Sequence, residues 1–161
     1  MPMAVAELVA SVRVAAAADA APLAALLRQL GYPTAAPQLA QRMAVVTGIV
    51  LVAECTQRVV GMAHVERRAG LLSAPVADLH ALVVDEAWRS RGIGSLLLRA
   101  VEDWACAQRL TCVRLGSNVL REAAHRFYRR AGYRELKRQC VFVRQLDAAD
   151  PADTADKAAS G

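Results

Sequence analysis

The stretch Arg89-Ser90-Arg91-Gly92-Ile93-Gly94 sets two cations and two glycines between an apolar run, ALVV at 81–84, and an amphipathic stretch, SLLLRAVEDWA at 95–105. Helix N-termini expose unpaired backbone N–H groups and carry partial positive charge, so they bind phosphate readily. Glycines at that point let an anion approach the backbone without side-chain obstruction, and the arginines add charge. The pattern is neither the GxxxxGKS/T of a P-loop nor the GxGxxG of a dinucleotide-binding turn. A plain turn flanked by solvated arginines is the competing reading. Eleven residues before Arg89 stands Asp78, with His80 two positions on in VADLHALVV. On an alternating strand these two side chains share a face, and Leu82 continues the row unless a β-bulge intervenes. A carboxylate beside an imidazole, whose unperturbed pKa is ~6.5, can move a proton at neutral pH.

Those residues need elements to hold them. Residues 9–14, VASVRV, alternate as a strand does, and Asp19 is placed to cap APLAALLRQLG, whose apolar spacing and terminal Gly31 mark a helix. YPTAAP at 32–37 is a proline-punctuated turn before a second helical stretch, QLAQRMAVV. Two strands follow, IVLVAEC and VVGMAHVER, joined by the polar turn Thr56 to Arg58. A loop from Arg68 to Pro75 leads to the strand VADLHALVV, and the helix from Gly92 to Gln108 comes next. Then come a strand CVRLGS, a helix near Arg121 to Ala131 and a last strand CVFVRQL. The order βααβββαβαβ implies an α/β chain of the α+β kind, with a mixed, mostly antiparallel sheet flanked by helices. Residues 1–146 read as one domain. The tail 147–161, DAADPADTADKAASG, is poor in bulky apolar residues and reads as disordered.

Composition narrows the class further. At 161 residues the chain fits one domain, since a core of ~100 to 150 residues is stable without staples. Apolar residues are 55% of the chain, yet no run approaches the ~18 apolar residues of a membrane span. The opening MPMAVAELVASVRV carries Glu7 where a secretory signal would be basic, so a cytoplasmic location is expected. Cys55, Cys106, Cys112 and Cys140 form no CxxC pair and no zinc-finger spacing, which favours buried reduced thiols and no metal. Net charge is +5; four aspartates against Lys157 leave the last fifteen residues at −3 and residues 1–146 at +8. That surplus favours an anionic partner, either nucleic acid or a phosphorylated cofactor.

The signature RSRGIG at 89–94 resembles the Q/R-x-x-G-x-G/A motif of the GNAT superfamily of acyl-CoA N-acyltransferases. A strand before it and a helix after it stand where that family has them. A second segment, SNVLREAAHRFYRRAGY at 117–133, is similar to the family's Asn, then a helix with Ala and Tyr, then Gly-Phe or Gly-Tyr. The resemblance runs to about Leu146. It implies a GNAT-like domain and acetyl-CoA as co-substrate. The cofactor's pyrophosphate would lie on the backbone of Arg89, Ser90, Arg91, Gly92, Ile93, Gly94 and Ser95, and its pantetheine arm beside Leu82, Val83 and Val84. The N–H of Leu82 would donate to the thioester carbonyl and stabilise the oxyanion. Asn118 corresponds to the family position near the pantetheine end, a turn or cap asparagine being the other reading.

The resemblance also gives the catalytic roles. Tyr128 matches the tyrosine that protonates the departing thiolate as general acid, while Phe127 reads as core. Asp78 has the spacing of the catalytic glutamate in histone-acetylating relatives. LHAL is similar to the segment of serotonin-type arylalkylamine acetyltransferases, where strand histidines pass a proton through water. Asp78 and His80 are therefore expected to act together as a relay. A hydrogen-bonded pair that only orders the pocket is the alternative. His64 reads as structural or surface.

The partner expected is a small-molecule amine acceptor rather than nucleic acid or a membrane, and a homodimer is left open. No acid lies between Ala20 and Val46, so a polycationic acceptor such as an aminoglycoside would lack the expected carboxylates. Tyr32, Gln38, Gln41 and Arg42 suit a small amine or one bearing an anionic group, and AHRFYRRAGY at 124–133 looks like small bacterial acetyltransferases of aminoalkylphosphonates. Direct attack in a ternary complex is expected, because no cysteine sits in a nucleophile motif. A CoA-binding regulator, or an acetyltransferase of protein N-termini or lysines, stays open beside it.

Overall fold

The computed structural model describes residues 9–146. Chain contacts divide it into two compact units, Met1–Gly116 and Ser117–Gly161. The expected disordered tail, 147–161, lies outside the described residues.

The first unit is built on a five-stranded mixed sheet in the order β1-β2-β3-β4-β5. Its strands are β1 (Ala10–Val14), β2 (Ile49–Cys55), β3 (Arg58–Arg68), β4 (Val76–Val84) and β5 (Val113–Leu115). The first four pair antiparallel in sequence order, and β5 joins β4 in parallel. This is the α+β class with a mixed, mostly antiparallel sheet that the element order implies. Strands β2 and β4 cover the residues of the apolar, β-branched runs IVLVAEC and VADLHALVV. Thr56 and Gln57 both take positive φ, 47° and 60°, the geometry of a two-residue turn whose twist matches that of paired strands.

One face of the sheet carries α1 (Ala20–Leu30) and α2 (Ala36–Val45). Leu23, Ala24, Leu26 and Leu39 from these helices join Val52, Met62 and Val83 in a buried cluster, with Ala81 against it. The other face carries α3 (Ile93–Ala107), whose buried Ile93, Leu97, Leu98, Val101 and Ala105 recur at helical spacing. Gly61 marks the crossing: a Cβ there would stand 3.0 Å from Leu97 Cδ1 and 3.4 Å from Ile93 Cγ2.

Asp19 does not cap α1 through its side chain. Its carboxylate instead accepts from the Ala16 N–H at 2.7 Å and from Arg13, so it closes the turn before the helix. Against the expectation of buried thiols, only Cys55 of the four free cysteines is buried: Cys106 stands one residue past buried Ala105, about 100° round α3, and Cys112 and Cys140 lie outside the helices and strands. Among the described residues no helix is long and apolar enough to cross a membrane.

The second unit contains α4 (Glu122–Arg130). The strand expected over CVFVRQL is absent: residues 140–146 take no regular structure, and Val141, Phe142 and Val143 are exposed. A β-prone run alone does not make a strand. Backbone N–H and C=O groups need a ladder partner, and among the described residues of this unit there is no other strand.

Candidate active site

The β4–β5 ladder is short. It pairs Ala77 with Val113, Asp78 with Arg114 and Leu79 with Leu115, and stops there. From His80 to Val84 the outer edge of β4 has no strand beside it among the described residues. Asp85 donates its N–H to Val60 O at 2.9 Å, on the β3 side. Peptide groups alternate along a strand, so Leu82 and Val84 direct theirs to the open edge. The Val84 carbonyl accepts from Arg89 Nε at 3.1 Å. The Leu82 N–H thus faces the open edge of β4.

The chain leaves that edge through a braced turn. Asp85 Oδ1 accepts the Ala87 N–H at 2.9 Å, and Gln29 at the end of α1 takes the Glu86 N–H at 3.0 Å. Ser90 and Gly92 follow with φ of 60° and 79°, a left-handed pair that swings the backbone round into α3. Gly92 is the N-cap of α3 and no side chain caps it. The first N–H groups of the helix, on Ile93, Gly94 and Ser95, are therefore left for an external acceptor. Arg91 stacks over the Trp88 ring at 5.1 Å, and Arg89 is tied to Val84, so both arginines frame the loop as well as charging it.

The residues expected to move a proton, Asp78 and His80, sit on the α1–α2 face. Register steps between His64 and Val65: His64 lies opposite Ala81 and Val65 opposite Leu79, which leaves His80 as an extra residue on β4. This β-bulge interrupts the row. Asp78 and His80 share the face of Glu66 and His64, as their spacing predicts, and Leu82 turns to the opposite face with its register partner Ala63. Asp78 is salt-bridged to Arg68 at 3.2 Å. His80 Nε2 lies 2.8 Å from Glu66 Oε1, and Thr47 Oγ1 donates to Glu66 Oε2. The rings of His64 and His80 stack, centroids 4.9 Å apart and planes 26° apart, and His64 Nε2 lies 2.9 Å from the Thr47 carbonyl. Hydrogen bonds from Thr47 and then from His80 hold the Glu66 carboxyl below its ordinary range.

Sequence reasoning set His64 aside and did not consider Glu66. The alternation of β3 puts both on one face, but their meeting with His80 depends on register and on the bulge, which no local pattern carries. Gly48 is part of the same arrangement. With φ of 79° it lies so close to β3 that a Cβ would meet the Val65 carbonyl oxygen and stand 2.6 Å from Glu66 Cα, so Thr47 is delivered to Glu66 by a residue that only glycine can supply.

Asn118 and Tyr128 belong to the second unit. Asn118 Oδ1 accepts the Leu120 N–H at 2.9 Å, and its backbone carbonyl accepts from Arg121 N and lies 3.0 Å from His125 Nε2. It is thus the pivot of the turn into α4, in line with the turn reading. Tyr128 is half-buried against Phe127 and Tyr133, with ring centroids 5.2 and 5.9 Å away. Burial raises its phenol above the ordinary range, opposed by the charge of Arg121, so the hydroxyl keeps its proton at neutral pH. Among the described residues no group of three or more His, Cys, Asp or Glu is placed to hold a metal ion.

A parallel splay beside β4, a bent loop and an uncapped helix describe one fold class, and the comparisons name it. Residues 47–135 match the family described as acetyltransferase (GNAT) domain. The chain belongs to that family of acetyltransferases. Among solved structures it is similar to the aminoglycoside N-acetyltransferase AAC(6')-Iy in complex with CoA, at 16% identity and TM-score 0.77, covering 91% of this chain and 99% of that one. A putative acetyltransferase from Agrobacterium tumefaciens shares 25% identity with TM-score 0.71, covering 84% and 99%. A transcriptional regulator from Bacillus halodurans shares 19% with TM-score 0.73, covering 84% and 99%. No curated protein matches.

Proposed function

We propose that the chain transfers the acetyl group of acetyl-CoA to the primary amine of a small molecule, by direct attack in a ternary complex. The observation that carries this reading is the continuity of the open β4 edge with the uncapped start of α3. Backbone donors at Leu82 and Val84 suit an extended arm bearing amides, and the N–H groups after Gly92 suit a pyrophosphate at its end. Asn118 is assigned to the pantetheine end of the arm.

In this reading the Leu82 N–H stabilises the oxyanion formed as the amine attacks. Tyr128 supplies the proton to the departing sulfur, and Asp78 and His80 supply the face that receives the proton of the incoming ammonium. The aminoglycoside-acetylating neighbours support the fold only. The acid-free span from Ala20 to Val46 argues for an acceptor with few positive charges.

The test is a broad amine panel with acetyl-CoA, read by mass spectrometry of the products. Acetylated product together with thiol release that depends on the amine is expected. Tight CoA binding with no turnover on any amine would replace this reading with that of a CoA-binding regulator. Product formed only on peptides would move the acceptor to protein amines.

A further inference from the structure

Two ring nitrogens fix how the imidazoles beside Glu66 can act. A backbone carbonyl only accepts hydrogen bonds, so His64, bound through Nε2 to the Thr47 carbonyl, carries its proton on Nε2. The Glu66 carboxyl, held ionised by its two donors, also only accepts, so the contact at 2.8 Å requires a proton on Nε2 of His80. In the neutral form each ring then presents Nδ1 as its lone-pair nitrogen. The two rings stack, which limits rotation of either. His80 stays open to the outside, its side chain 40% exposed, whereas Glu66 beside it is 26% exposed and has both oxygens engaged. Asp78, by contrast, has its carboxylate committed to Arg68 and its side chain only 15% exposed.

We propose that Glu66 is a positioning residue, which together with the stacked His64 holds His80 as the Nε2–H tautomer, and that Nδ1 of His80 is the atom that accepts the proton of the incoming ammonium. This rests on the acetyl-transfer reading and sharpens its proton acceptor. One N–H proton of the ammonium passes to Nδ1, leaving an imidazolium beside the Glu66 carboxylate. The freed amine lone pair forms the bond to the carbonyl carbon, and the C–S bond breaks as the sulfur takes the Tyr128 proton. The second proton lost from the nitrogen as the amide forms returns to the Tyr128 phenolate, while the imidazolium gives its proton to solvent. The arrangement has the logic of a carboxylate that orients a histidine base without itself taking the proton.

The positioning is tested without any substrate, on the full-length 15N-labelled protein. Long-range 1H–15N spectra of the imidazoles, recorded where both are neutral, should show His64 and His80 as Nε2–H tautomers. Glu66→Ala should convert His80 alone to an averaged pair of tautomers, and Glu66→Gln, which keeps an acceptor oxygen, should restore the Nε2–H form. An Nδ1–H signature for His80 in the unchanged protein, or a His80 signal indifferent to Glu66→Ala, overturns the proposal. If Glu66→Ala does not fold, the unchanged protein and Thr47→Ala, which removes one donor to Glu66, decide the same point. With the amine found in the panel, Glu66→Ala should lower kcat by roughly 10-fold, less than the ~100-fold or more that a general base itself contributes because His80 remains, with KM for acetyl-CoA unchanged. Equal kcat would overturn the catalytic half of the proposal. A protein that acetylates no amine would instead sink the acetyl-transfer reading, while the spectra still judge the role of Glu66.

Discussion

The guanidinium of Arg13 on β1 grips both carboxylate oxygens of Asp19, Nη1 at 2.8 Å and Nη2 at 3.0 Å, while its Nε reaches Glu54 on β2 at 2.8 Å. Asp19 is the one buried charged residue among those described, 7% exposed, and it lies just where the chain leaves the sheet edge for α1. The Arg13 hydrogen bond holds the Asp19 carboxyl below its ordinary range against the opposing cost of burial.

Asp19→Asn should therefore destabilise the fold by about 1–3 kcal/mol at neutral pH, less than a fully buried pair because Arg13 is 41% exposed. The carboxyl titrates lower when folded than when unfolded, so its contribution is present above the unfolded value and is lost as pH falls through the folded one. Urea denaturation at pH 7 and again near pH 3 should show the gap between wild type and variant shrinking at the lower pH. A gap that is the same at both would mean the pair does not act through the charge of Asp19.

Gly48→Ala should cost about 2 kcal/mol or more, because the left-handed backbone and the closeness of Val65 and Glu66 both oppose a Cβ. Gly31 is the control. It too has positive φ, 102°, but a Cβ there meets nothing within 4 Å, so Gly31→Ala should cost only about 1 kcal/mol. Denaturant midpoints of the two variants compare strain alone with strain plus collision.

Gly92→Ala tests the start of α3. A Cβ at Gly92 meets no atom within 4 Å, yet φ of 79° disfavours it, so the loop should relax away from its present turn. The expected outcome is CoA binding weakened by roughly 10-fold in calorimetry, equivalent to about 1.4 kcal/mol. The thermal midpoint should fall by only a few degrees. Unchanged affinity would remove the backbone of this loop from the cofactor site.

Tyr128→Phe keeps the ring contacts with Phe127 and Tyr133 and deletes only the hydroxyl. Turnover should drop by roughly 100-fold, within the range for a general acid, while CoA affinity is kept. Full activity would take Tyr128 out of the mechanism. Because burial raises the phenol, the activity of the unchanged enzyme should not fall on the alkaline side until above the ordinary tyrosine range, near pH ~10.

Much of the fold was legible because each element carries its own period. The β-branched apolar runs IVLVAEC and VADLHALVV mark β2 and β4 to the residue, and the spacing of Ile93, Leu97, Val101 and Ala105 marks α3. The signature loop was legible too, since glycine at positive φ before a helix is a local requirement. CVFVRQL shows where that logic stops. It has the β-branched and aromatic residues of a strand, but a strand is a relation between two segments, and a β-prone run does not supply the second one.

By itself, then, the sequence determined the α+β element order up to α4, the turn at Gly92 that frees the start of α3, and the shared face of Asp78 and His80, all set by backbone sterics and side-chain periodicity within a few residues. Only the tertiary structure decided that Asp78 goes to Arg68, that His80 goes to Glu66, and that His64 lies against His80. Those outcomes hang on the register between β3 and β4, where a single extra residue at His80 resets which side chains face one another. Register is set by how whole faces bury against α1, α2 and α3, and that is a property of the assembled sheet.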